Sequence, residues 1–140
     1  MRKQLFVIFL VATASFFAVR AQAQVIIIAN PSFKGEVISK GVLRDVFTGE
    51  SKFFKDGSRA LPVLLSKGAA HDSFYPDCLH MSESSVIISW RRQVFSGKVS
   101  MPPSFDSEAA IVEYVAKTSG AIGFISKSAP HEGVKVLSID

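Results

Sequence analysis

Two distant segments of this chain share one logic: each is a helix that has to stop at a glycine. In the first, Val42, Leu43, Val46 and Phe47 fall on one face of a helix predicted over 40–47, with Arg44 and Asp45 opposite. Ser39 is placed to cap its start and Gly49 to end it in the left-handed conformation glycine tolerates. In the second, Ile111, Val112, Tyr114 and Val115 recur at helical spacing after a cap at Asp106 or Ser107. That helix closes at Ser119-Gly120, and the chain runs directly into the apolar strand 121–125. A helix returned to a strand through so short a turn belongs to layered α/β architectures rather than to segregated α and β regions.

The remaining segments extend the alternation. Val25-Ile-Ile-Ile-Ala29 is an unbroken apolar run, the pattern of a strand covered on both faces and the mark of parallel sheets. Leu61-Pro-Val-Leu-Leu65 reads as a second strand, with Pro62 near its start, where a missing amide does least harm. Residues 70–80 suggest a helix in which Pro76 must sit in an early turn or split the element. Ser82–Phe95 is a longer helix with Val86, Ile87, Trp90 and Val94 at helical spacing, and Trp90 is expected in the core. Residues 96–105, with Gly97, Pro102 and Pro103, read as an irregular surface loop, and 134–139 as a last short strand. The expectation is one domain over 24–140, a three-layer α/β sandwich with a mixed, mostly parallel sheet flanked by helices.

Residues 1–23 have the form of a signal peptide. Arg2 and Lys3 precede the apolar run Leu5–Val19, and Ala21-Gln22-Ala23 supplies the small residues a signal peptidase reads. The run falls short of the roughly 20 apolar residues of a spanning helix. Cleavage is predicted between Ala23 and Gln24, giving a periplasmic or secreted protein that does not span the membrane afterwards. The full chain carries 16 basic and 12 acidic residues. Arg2, Lys3 and Arg20 leave with the leader, so the remainder is nearly neutral and has no electrostatic footprint for nucleic acid.

No constellation points to an enzyme, a metal or a cofactor. His71-Asp72 with His80, and His131-Glu132, lack metal-ligand spacing. No Gly-x-Ser-x-Gly elbow occurs, and Asp106 with Glu108 reads as favourable charge at a helix start. The lone Cys78, among apolar neighbours, is read as a buried, inert thiol. Arg91-Arg92 reads as a solvated helix face, and the loop Lys98–Pro103 as a better place for a protein partner to touch.

Taken in order, several pieces form a set. They are Ile28-Ala29-Asn30, Val46-Phe47-Thr48-Gly49, Phe53-Phe54-Lys55-Asp56-Gly57, Pro62-Val63-Leu64, Phe74, Trp90 with Phe95-Ser96-Gly97, and Gly120-Ala-Ile-Gly-Phe124. This ordered set resembles the phosphate-binding protein of bacterial ABC importers. The resemblance implies a type 2 periplasmic-binding-protein fold and matches only the central lobe of the two that clasp a ligand in that family. The family's Ser-Gly-Thr anion motif falls on Gly68, Ala69 and Ala70, and the arginine preceding it on Leu64. The side-chain donors are therefore replaced, but the backbone amides of a helix N-terminus remain. The resemblance thus places a weak site for phosphate or another oxyanion at Ser66, Lys67, Gly68, Ala69, Ala70 and His71. Two readings stand: a solute-binding-type domain related to those importer proteins, or a non-enzymatic accessory or sensor module that docks an exported or inner-membrane protein. Pairing of two such lobes in a homodimer would rebuild a cleft.

Overall fold

The computed structural model describes residues 24–140, so the predicted leader and its cleavage site lie outside the described residues. At the centre is β1 (Val25–Ala29), flanked by β6 (Ala121–Ser126) and β7 (Lys135–Ile139). Both neighbours run antiparallel to it, with Ile27 opposite Phe124 on one side and Leu137 on the other. Short parallel strands complete the edges: β2 (Val37–Ile38) beside β7 and β3 (Leu61–Pro62) beside β6. The sheet is mixed, as expected, but the expectation of a mostly parallel one is corrected, because its longest pairings are antiparallel. The apolar run of β1 records helices packed on both of its faces; strand direction leaves no such trace in composition.

Adjacent residues of β6 show those two faces. Phe124 stacks on Phe74 of α2 (Ala69–Phe74) at a centroid distance of 3.7 Å and meets Phe47 of α1 (Lys40–Phe47) at 6.0 Å. Gly123 points the other way, toward α4 (Glu108–Lys117), where an added Cβ would come within 3.0 Å of Ile111. Successive strand residues face opposite sides, so α1 and α2 form one layer, the sheet the second and α4 the third. The buried ring cluster of Phe47, Phe74, Tyr75 and Phe124 centres the first interface. Each such aromatic pair adds about 0.5–1.5 kcal/mol beyond its buried area.

The predicted strand Leu61–Leu65 divides between two partners. Leu61 and Pro62 pair with β6, and the Val63 amide still donates to the Ile122 carbonyl at 2.9 Å. Leu64–Leu65 (β4) then pairs with Ser104–Phe105 (β5), so the segment 96–105, expected to be irregular throughout, ends in a strand. Pro62 is tolerated because it lies on the sheet edge, where no ladder donor is required.

The expected helix over 70–80 is likewise divided. It is α-helical to Phe74 and widens into a π-helical turn, Tyr75–Leu79, that contains Pro76. A proline ring crowds the carbonyl four residues back and offers no amide in return, which the wider turn accommodates. α3 (Glu83–Phe95) starts at Ser82, whose side chain accepts from the Ser85 amide. Trp90 is core, as expected: its indole N–H donates to the Phe47 carbonyl at 2.7 Å, and its ring lies where a Cβ on Gly49 would come within 2.9 Å. Val94, expected on the buried face, is exposed with Phe95 beyond it, because α3 outruns the layer it packs on. Asn30 closes the core from the far end of β1. Its side-chain amide donates to the Val115 and Ala116 carbonyls, capping the last turn of α4.

Candidate functional site

The segment 66–71 leaves the C-terminal end of β4 and enters α2 through Gly68, whose φ of 102° only glycine adopts without strain. Among the described residues no side chain caps this helix, which leaves its first amides without a side-chain acceptor. Ser66, Lys67, Gly68 and Ala69 are solvent-exposed, and Ala70 is buried against the core. Lys67, Gly68, Ala69 and Ala70 line an open hollow of about 430 Å³ beneath the N-terminus of α4.

Ser66 and His71, named with them from the sequence, are drawn elsewhere. The Ser66 hydroxyl donates to Asp106 Oδ1 at 2.5 Å. The His71 ring does not line the hollow: its two nitrogens meet Asp72 Oδ1 at 2.9 Å and Glu83 Oε1 at 3.0 Å, tying α2 to α3. Burial opposes the charged imidazolium, but these carboxylate contacts outweigh it and hold the ring's pKa above its ordinary value.

Two carboxylates complete the hollow. Asp106 and Glu108 both line it, and Glu108 Oε1 accepts the backbone amide and the hydroxyl of Ser126 at 2.8 and 2.7 Å. Among the described residues, Lys67 is the one cationic side chain in the lining. In water a unit charge about 4 Å away is worth about 1 kcal/mol, so two carboxylates offset the attraction of one ammonium and the helix amides. Leu64, which the resemblance aligns with an arginine, is buried in the core and supplies no polar group. The result is a hollow of mixed polarity, with backbone donors on one side and carboxylates on the other.

The sequence offers Asp106 as one of two caps for α4, a role Ser107 takes, and Asp106 with Glu108 as charges favourable to a helix start. The missing signal is their register: β5 pairs with β4, which sets the start of α4 beside that of α2. Among the described residues, no group of three or more His, Cys, Asp or Glu side chains could hold a metal ion. His131 Nδ1 lies 2.8 Å from the Ala129 carbonyl. Cys78 is buried, and burial with neighbouring Asp77 pushes its thiol up to about 11. No helix among the described residues is long and apolar enough to cross a membrane.

No protein-family model matches the sequence, and no curated protein matches it. Solved structures do. A Clostridium perfringens protein described as a phosphate ABC transporter substrate-binding protein, with phosphate bound, superposes with a TM-score of 0.65 at 16% identity, over 84% of this chain and 45% of that one. PstS from Borrelia burgdorferi matches with a TM-score of 0.62 at 15% identity, over 84% of this chain and 47% of that one. An ABC-type phosphate transport receptor from Vibrio cholerae gives 0.54 at 15%, over 83% of this chain and 46% of that one. The chain thus has a periplasmic-binding-protein fold and spans about half the length of these structures. At such identities the likeness establishes the fold and nothing finer.

Proposed function

We propose that this chain, having the fold of phosphate-type solute-binding proteins, works as an exported, non-enzymatic solute-binding-type domain that takes phosphate or a similar oxyanion weakly. The observation that carries this reading is the uncapped, glycine-led start of α2, solvent-open at the C-terminal end of β4. Backbone amides of Ala69 and Ala70 and the Lys67 ammonium are the donors; Ser66 joins only if it releases Asp106. Affinity is held in the millimolar range because a charge-assisted hydrogen bond contributes about 1.5–3 kcal/mol and the aligned hydroxyl and guanidinium donors are absent. Asp106 and Glu108 lower it further. Calorimetric titration of the purified protein with phosphate and with sulfate tests this; no heat at millimolar ligand refutes it.

A second reading, an accessory or sensor module docking an exported or inner-membrane protein, has its own observation. The outer face of α3 exposes Ile88, Val94 and Phe95, the last at 96%. A single exposed phenylalanine is unremarkable, but Ile88 and Phe95, seven residues apart, share one face of α3, with Val94 beside it, and suit a protein surface. Light scattering on the purified protein, alone and after F95D substitution, separates a self-associating face from a monomer.

A further inference from the structure

A second hollow, sharing no residue with the first, lies between the end of α3, the loop 97–103 and the β3 edge, with a volume of about 350 Å³. Its floor is apolar, made by the buried Trp90 and Pro62 with Leu61, and the exposed Met101 stands at its edge. Its rim carries Lys52, Arg59 and Lys98, and none of the described residues lining it is acidic. Residues 24–140 hold almost equal numbers of basic and acidic side chains, so this segregation is local. None of the three cations joins an ion pair among the described residues. The loop wall is anchored at both ends: the Gly97 amide donates to the Val94 carbonyl at 3.0 Å, and the Leu64 amide to the Pro103 carbonyl at 2.9 Å. The loop that walls the hollow is therefore fixed at both ends, which suits a small-molecule site.

We propose that this hollow binds a small organic anion, a carboxylate head carried on an aromatic or aliphatic body. The rim matches the head, since Arg59 offers a planar fork suited to a carboxylate and the two lysines add point charge. The floor matches the body, because apolar surface beside Trp90 gains from covering and a bare inorganic ion would leave it wet. An added peptide strand fits less well, because Pro62 has no amide to donate on the edge it would join. The proposal does not rest on the oxyanion reading of residues 66–70.

The test is an NMR-detected titration of the isotope-labelled protein with benzoate, benzylamine and inorganic phosphate at equal ionic strength. Benzoate is expected to shift the Trp90 indole signal and the amides of Leu61, Gly97 and Lys98 saturably at millimolar concentration. Benzylamine and phosphate are expected to act there at least several-fold more weakly. The K52Q/R59Q/K98Q variant is expected to weaken benzoate about tenfold, since each of the three exposed charge contacts contributes about a factor of two. All three side chains are exposed, so the variant keeps its fold, which its unshifted core signals verify. Equal effects of benzoate and benzylamine, equal effects of benzoate and phosphate, an unweakened triple variant, or no benzoate shift would each overturn the proposal. Phosphate shifts confined to Gly68–Ala70 would support the oxyanion site independently of this result.

Discussion

Replacing the two carboxylates of the first hollow by their amides, D106N with E108Q, should raise phosphate affinity while lowering stability. Both replacements keep the local geometry, because a side-chain amide oxygen can still accept from the Ser66 hydroxyl and from the Ser126 amide and hydroxyl. What they remove is charge. Each carboxylate near a bound anion costs about 1 kcal/mol in water at about 4 Å, a factor of about five. The double variant is thus expected to bind phosphate up to about 30-fold more tightly at low ionic strength, and by less as salt screens the charges. The same carboxylates favour the positive N-terminus of α4, where each contributes about 0.3–1 kcal/mol. Loss of both should cost about 1–2 kcal/mol of unfolding free energy. The assays are calorimetric phosphate titration and urea unfolding on the same protein samples. A double variant that is less stable but binds phosphate no better than the parent would refute the claim that these carboxylates weaken the site.

Three further outcomes follow from the packing. G120A places a Cβ against the Arg59 carbonyl oxygen and also carries the left-handed cost of about 1–2 kcal/mol. G57A, also at positive φ but facing open space, carries the backbone cost alone, so urea unfolding should rank G120A clearly below it. W90F strands the buried Phe47 carbonyl and should cost about 1–3 kcal/mol by denaturant unfolding, with the midpoint moving and the slope unchanged. The raised pKa of His71 makes the contribution of its charged form complete below the ordinary histidine value of about 6.5 and lost as pH climbs through the higher folded value. H71Q should therefore remove a stability decline of less than about 1 kcal/mol from slightly acid to mildly alkaline pH, while an unchanged pH profile would show that the Asp72 and Glu83 contacts carry no charge-dependent stability.

Much of the fold was legible locally. The helix over 40–47 with its Ser39 cap, the helix running to Phe95, and the helix-to-strand passage through Gly120 all rest on contacts within a few residues. Those are interactions a sequence window contains. The oxyanion segment was legible only in part. Lys67 to Ala70 do form one surface, but Ser66 and His71 are claimed by Asp106 and Glu83, residues 40 and 12 positions away. Of the cationic hollow only the loop wall Lys98–Pro103 was legible as a contact surface; Lys52, Arg59 and Lys98 sit on separate segments, with no spacing between them to read.

By itself the sequence determined the long helices, the longer strands and most of their apolar faces. Capping, left-handed glycines and hydrophobic period are short-range properties, present in the chain before it folds. The tertiary structure alone decided strand direction, the division of 61–65 between two partners, and the sign of charge in each hollow. Those depend on which distant residues meet, and Coulomb energy is set by separation in space, to which order along the chain is no guide.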